Sequence, residues 1–509
     1  MLLGQLVPPH PIELWSLRDD TLLDPDAGPH GAVTLDTRWG EERLTGLSGP
    51  VREALRRMCV GPVDLRNVLP DFPADGRPVD DTPLAPETGE LLSTLGRWGH
   101  VVVRTLAVGS SPLLSVVPLS RRARFTPRPV PHGRPCRLSR FTVLRYAAGG
   151  LRMESPLSHH RVELLRPEAS LLLARLGGEM DDGAWAQPDG SMLNEDSMAV
   201  ALSYLVAAGM VVVAEPGGEP DGTARPARFA EDDDPVLRTW SPDDLLLHSR
   251  SRMGRSDAGF GAVFAHADAV PAEPVVKTSG GGARIPLFRP DLSEAIHNDP
   301  PLTAVLERAL PPGPAEVGQL TSHQLGSLLY RAARVRRLRD PGPHAPQGYA
   351  TSDRPYQSMG DTYALELYLL VGGGTWLAPG AYHYDPLNHA LERVEGVPEA
   401  LAELSVEAQT AAGLTGPPPP LITITARFAR SAYQFSSGAY ASLMKDVGAL
   451  QQTLSLVATA LGLGSCPLAV GDTETAVRAL GLSWSTESSV GEFLLSPRAT
   501  ARSAAYGDG

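Results

Sequence analysis

The stretch Arg354-Pro-Tyr-Gln-Ser358-Met-Gly360-Asp-Thr-Tyr363-Ala-Leu-Glu366-Leu-Tyr368-Leu-Leu-Val371, followed by Pro379-Gly-Ala-Tyr382-His-Tyr384-Asp-Pro386, constrains the fold more than any other part of the chain. A polar, turn-forming segment opens onto an apolar and aromatic run whose side chains alternate sides, and a second short aromatic strand ends at Asp385-Pro386. A small-residue loop delivered by a buried strand lets a flat ligand approach the backbone closely. The same residues also suit a plain tight turn before a strand, and taken alone they leave both readings open.

The chain has 509 residues, long for one hydrophobic core, which predicts two or three domains. With 42% hydrophobic and 20% charged residues it reads as a globular protein rather than a disordered one. A formal charge of -13 argues against a general nucleic-acid binder, which needs a basic face to displace counterions. Cys59, Cys136 and Cys466 are odd in number and lack CxxC spacing, so neither a disulfide framework nor a metal site is expected. The opening Met-Leu-Leu-Gly-Gln-Leu-Val-Pro-Pro has no basic segment or long apolar core, and no run reaches the ~18 to 20 apolar residues of a membrane span. No membrane partner and cytoplasmic residence are therefore expected. Lys277 and Lys445 are the only lysines among 45 basic residues, which limits lysine chemistry to two candidates.

The first half holds a weak internal repeat. Ile12–Leu17 and Ala32–Asp36 read as strands, Pro50–Cys59, Val63–Leu69 and Thr88–Trp98 as helices, and Val101–Leu106 as a closing strand. In the second copy Arg140–Tyr146 and Arg161–Leu165 are strand-like. Pro167–Leu176 and Glu195–Ala208 are helical, the first opened by proline and the second stopped by Gly209, and Met210–Ala214 closes as a strand. Strands, helices, then a strand is the order of a winged helix. Two winged-helix-like modules are thus predicted, over 1–125 and 126–235. Pro216-Gly-Gly-Glu-Pro-Asp-Gly and Glu231-Asp-Asp-Asp-Pro235 read as a polar, breaker-rich boundary. From about Trp240 the chain is mixed, with core strands at Ala364–Val371, Leu421–Ala426 and Gly491–Leu495 and a long apolar helix at Leu443–Leu461.

The Ser358-Met-Gly360 and Tyr382–Pro386 segments, together with His248-Ser-Arg-Ser-Arg-Met-Gly254, Leu461-Gly-Leu-Gly-Ser-Cys-Pro467 and Ser488-Ser-Val-Gly-Glu-Phe-Leu-Leu495, resemble the nitroreductase-like flavoproteins of the SagB/ThcOx type. That family uses FMN to oxidise azoline rings to azoles in ribosomally made peptides. The resemblance covers roughly the last 270 residues and implies an α+β fold: a nitroreductase-like flavin domain over 236–509, preceded by the two winged-helix-like modules. It implies that Ser358 and Gly360 lie against the flavin, that Gly462, Gly464 and Ser465 form a second ring-and-phosphate loop, and that Arg498 binds phosphate. It also implies a homodimer, or a heterodimer with a related dehydrogenase or cyclodehydratase. The N-terminal modules would hold a precursor peptide by strand addition and an apolar groove.

Two departures bear on activity. Family members carry an arginine-rich stretch for the FMN phosphate, whereas the segment here, Ala309-Leu-Pro-Pro-Gly-Pro-Ala-Glu-Val317, has no positive charge and three prolines. Losing two charge-assisted contacts of ~1.5 to 3 kcal/mol each lowers affinity roughly 10² to 10⁴-fold. The family's catalytic Lys-Tyr pair falls, after Arg430-Ser-Ala-Tyr433, on Gln434-Phe435. Neither side chain can act as a general base. Lys445, about three turns on, is a poor stand-in unless the fold bends it inward, and Tyr433 and Tyr440 are the nearest hydroxyls, although a tyrosine near its usual pKa of ~10 is a weak base at neutral pH. The leading expectation is an FMN-dependent azoline dehydrogenase. The alternative is a degenerate flavin-fold subunit that docks precursor peptide or an active partner enzyme.

Overall fold

The computed structural model describes residues 10–24, 32–73, 84–147, 150–176, 194–216, 227–308, 320–346, 348–372, 375–468 and 471–496. The chain divides into two compact units, Met1–Asp257 and Ala258–Gly509.

The first unit is built on a six-stranded antiparallel sheet in the order Pro11–Leu17, Val102–Val108, Ser111–Pro118, His160–Leu164, Gly150–Glu154 and Val143–Ala147. The stretches 1–125 and 126–235 both feed this sheet, joined by the pairing of Ser111–Pro118 with His160–Leu164. Helices Gly49–Val60 and Pro86–Arg97 cover one core around Trp15, Leu55, Leu91 and Trp98. Helices Pro167–Arg175 and Glu195–Ala207 cover another around Leu113, Met153, Leu172 and Leu205. The helix expected at Val63–Leu69 is only a 3-10 turn, Leu65–Asn67. Val63 bridges to Trp15 in extended form, and the Asp64 side chain caps the turn at Arg66 N–H. The acidic run at 231–234 is not a free linker. Glu231 is buried and accepts from Ser139 Oγ at 2.6 Å and Arg140 N–H at 3.1 Å, with Arg137 at 3.0 Å.

The second unit carries a seven-stranded antiparallel sheet in the order Arg284–Pro286, Ala390–Val394, Gly380–Asp385, Leu365–Val371, Leu421–Arg427, Glu487–Ser496 and Gly464–Leu468. Leu365–Val371 is buried along its whole length, as expected for a strand covered on both faces. Leu365, Leu367 and Leu369 pack into one core with Leu443, Leu450 and Leu454 of the 22-residue helix Ala439–Ala460 and with helix Ser322–Ala333. Tyr368 and Leu370 face the opposite core, formed with helices Pro398–Ala411 and Thr473–Leu480. Glu366 shares that second face. Burial alone raises its carboxyl, but Arg427 at 3.0 Å and His383 at 2.9 Å pull it down to about 2. Among the described residues no helix is long and apolar enough to cross a membrane.

The mixed helix-and-sheet class expected from the sequence is the class observed.

Candidate functional site

The loop before Leu365–Val371 is held in an uncommon backbone conformation. Gly360, Asp361 and Tyr363 have φ of 65°, 53° and 43°, and a non-glycine residue in the left-handed region costs on the order of 1 to 3 kcal/mol unless its surroundings fix it. Ser358 provides that fixing. Its Oγ accepts from Tyr363 N–H at 3.0 Å and donates to Asp446 Oδ2 at 2.6 Å, while Met359 N–H donates to Asp446 Oδ1 at 2.9 Å. Asp446 comes from the Ala439–Ala460 helix and is 1% exposed. Burial pushes its carboxyl up, against the bonds from Ser358 and Met359.

Gln434 and Phe435, at the end of helix Phe428–Gln434, lie directly on Gly360. A Cβ on Gly360 would sit 2.7 Å from Phe435 Cζ and 2.8 Å from Gln434 Oε1. Glycine is required there by both the space and the φ. Gln434 is buried; its Oε1 accepts from Tyr349 OH at 3.1 Å, and its main-chain carbonyl accepts from Val263 N–H at 3.0 Å. Tyr433 stacks on Tyr349 with centroids 5.6 Å apart. Beneath them Arg430, fully buried, donates to the carbonyls of Thr362, Ala350 and Glu273 at 2.5, 2.7 and 2.9 Å. Burial draws its guanidinium down to about 10. Arg427 and Arg354 likewise donate to main-chain carbonyls, at Pro274 and Val275.

The other expected site residues lie elsewhere. Lys445 is exposed on the helix that carries Asp446, and Tyr440 is exposed beside Phe428. Gly462, with φ 70°, closes the C-terminus of the long helix. Its N–H donates to Thr459 O and Leu463 N–H donates to Ala458 O, the two bonds of a Schellman cap. Gly464 and Ser465 pair with Ser496 and Leu495 on the edge strand. Asp446 and Ala460 are separated along one helix by about 21 Å at ~1.5 Å per residue, so this second set stands at the far end from Ser358. Arg498 and the segment 309–317 lie outside the described residues. His248 stacks on Trp240, and Arg250 pairs with Glu154, both within the first unit. Sequence reasoning missed Asp446 and Tyr349.

These residues do not fit a flavin within the single chain. The face of Gly360 is filled by Gln434 and Phe435, Ser358 and Met359 are committed to Asp446, and three nearby arginines are committed to main-chain carbonyls.

The cyanobactin oxidase ThcOx family model matches residues 136–257 and the nitroreductase family model residues 360–491. The first match begins about a hundred residues upstream of the resemblance read from the sequence. No curated protein matches the chain. Among solved structures, the E. coli microcin synthetase McbBCD complex with truncated pro-MccB17 bound is similar at 20% identity over 52% of this chain and 97% of that one, with a TM-score of 0.32. A nitroreductase family protein from Clostridium novyi NT is similar at 12% identity over 39% and 86%, with a TM-score of 0.26. Nitroreductase family members are flavin-dependent oxidoreductases. With both segments in one sequence, the chain is similar to SagB/ThcOx-type, nitroreductase-like proteins.

Proposed function

We propose that this chain works in azole formation on a ribosomally made peptide in the cytoplasm, as a flavin-fold subunit that holds the precursor peptide or an active partner enzyme. The observation that carries this reading is the filled face of Gly360, where Gln434 and Phe435 occupy the space a flat ring needs. The absence of a titratable side chain at 434 and 435 agrees with it. A docking edge for peptide is on hand in the first unit. Val143–Ala147 is the end strand of its sheet, pairs only with Gly150–Glu154 among the described residues, and presents Tyr146 at 80% exposure. Strand addition to such an edge is a common mode of peptide binding. The natural assembly is a dimer, of two copies or with a related dehydrogenase or cyclodehydratase. The test is a titration of the purified chain with FMN, followed by flavin absorbance and fluorescence quenching. A colourless protein that does not take up FMN supports the docking role. Stoichiometric FMN with turnover of an azoline peptide overturns it.

A second reading is favoured by the matched ThcOx segment: an FMN-dependent azoline dehydrogenase whose flavin site is completed by another subunit. Sedimentation with and without FMN separates the two, since this reading requires an oligomer that binds flavin while the isolated chain does not.

A further inference from the structure

A second place in the Ala258–Gly509 unit holds a carboxyl group with no use in the site above. Glu492 lies on the Glu487–Ser496 strand opposite Thr423 and Leu468, is 2% exposed, and has no hydrogen-bond partner on Oε1. Burying an unpaired polar atom costs free energy, and native proteins satisfy nearly all such atoms. Glu492 borders a cavity of about 310 Å³, whose apolar wall is Leu404, Ala408 and Ala411. Glu407 adds a second carboxyl, and among the described residues no basic one lines the cavity. Asp472 is also present, but its oxygens already cap helix Thr473–Leu480 at Glu474 N–H and Thr475. Gly471 leans so close that a Cβ there would stand 2.4 Å from the Glu492 carboxyl carbon. Among the described residues no group of three or more His, Cys, Asp or Glu could hold a metal ion.

We propose that this cavity binds a primary alkylammonium ion, its methylenes along Leu404, Ala408 and Ala411 and its ammonium on Glu492 Oε1. An ammonium supplies three donors and no acceptor, which matches an unpaired carboxylate oxygen with Glu407 beside it. The volume is at the small end of ligand pockets and suits a short, unbranched stem. Burial, with Glu407 next, pushes the Glu492 carboxyl up to about 7. Binding of a cation to the ionised form therefore releases a proton near neutral pH. The ammonium comes either from a free amine or from a lysine side chain of a peptide.

The test is calorimetric titration of the full chain with n-butylammonium chloride, alongside n-butanol and Nα-acetyl-lysine N-methylamide, at matched ionic strength. Saturable binding of butylammonium is expected, weakened ~10-fold or more by Glu492→Gln, the loss of one charge-assisted hydrogen bond. Glu407→Gln, at a half-exposed position, weakens it less and guards against a folding artefact. Butanol should not bind. Binding of the lysine amide identifies a peptide side chain as the source, and binding of butylammonium alone identifies a free amine. No binding of butylammonium at millimolar concentration, equal binding of butanol, or an unchanged affinity in Glu492→Gln overturns the proposal.

Discussion

Ser358 Oγ donates to Asp446 Oδ2 at 2.6 Å, and the same carboxylate takes the N–H of Met359 on its other oxygen. One buried side chain of the long helix thus closes the loop that presents Gly360. Asp446→Ala leaves a buried hydroxyl and a main-chain N–H without partners and is expected to cost about 2 to 4 kcal/mol. Asp446→Asn keeps one acceptor and should cost about 1 to 2 kcal/mol. Denaturant midpoints check both. A loss under ~0.5 kcal/mol for the alanine variant, the range of an ordinary surface change, would mean that the carboxylate does not hold this loop.

The contact of Gly360 with Gln434 and Phe435 is open to a thermodynamic cycle. Gly360→Ala meets both the positive φ and the two side chains, for an expected loss of about 2 kcal/mol. In a Gln434→Ala, Phe435→Ala background the steric part disappears, and the glycine substitution should cost about 1 kcal/mol. Equal costs in the two backgrounds would show that the side chains do not press on Gly360.

How much of this was legible depended on which force decided each element. Leu365–Val371 and Leu421–Arg427 were readable because both faces are buried and the apolar run is unbroken. Ser111–Pro118 went unassigned from the sequence, and Pro112 and Pro118 interrupt its apolar run. Pro112 stands opposite Ala107, at the register shift of the pairing with Val102–Val108, where a missing N–H is tolerated. The 63–69 segment carried helical composition, but a bridge to Trp15 took Val63 away. At the site, the structure sets Gln434 and Phe435 against Gly360. The role of Asp446 was not legible, since a carboxylate among apolar helix residues gives no hint that a strained loop 87 positions away supplies its donors.

Glu492 predicts a specific pH dependence. Its native carboxyl is raised to about 7, against ~4.3 in an unfolded chain. The native state holds the proton more tightly, so this contribution is fully present below about pH 4 and is lost as the pH rises to about 7. The loss is on the order of 4 kcal/mol. Glu492→Gln removes the slope and should be more stable than the parent above about pH 8, with the difference vanishing below about pH 4. Thermal unfolding across that range measures it. Parallel stability curves would show that Glu492 titrates normally.

The paired change Gln434→Lys with Phe435→Tyr tests whether catalysis is only two side chains away. A positioned general base contributes ~10² to 10⁴-fold, so a chain that already binds FMN should gain azoline oxidation by about that factor. The expected outcome is no gain. The larger side chains still cover Gly360, Tyr349 OH loses its acceptor on Gln434, and the segment 309–317 contains no arginine for a flavin phosphate. Single-turnover assays with excess FMN and an azoline peptide make the measurement, and the single variants Gln434→Lys and Phe435→Tyr show whether either side chain alone moves it. A rise of ~10²-fold in the double variant would establish that the flavin slot is intact and would replace the docking role with that of a dehydrogenase lacking its base.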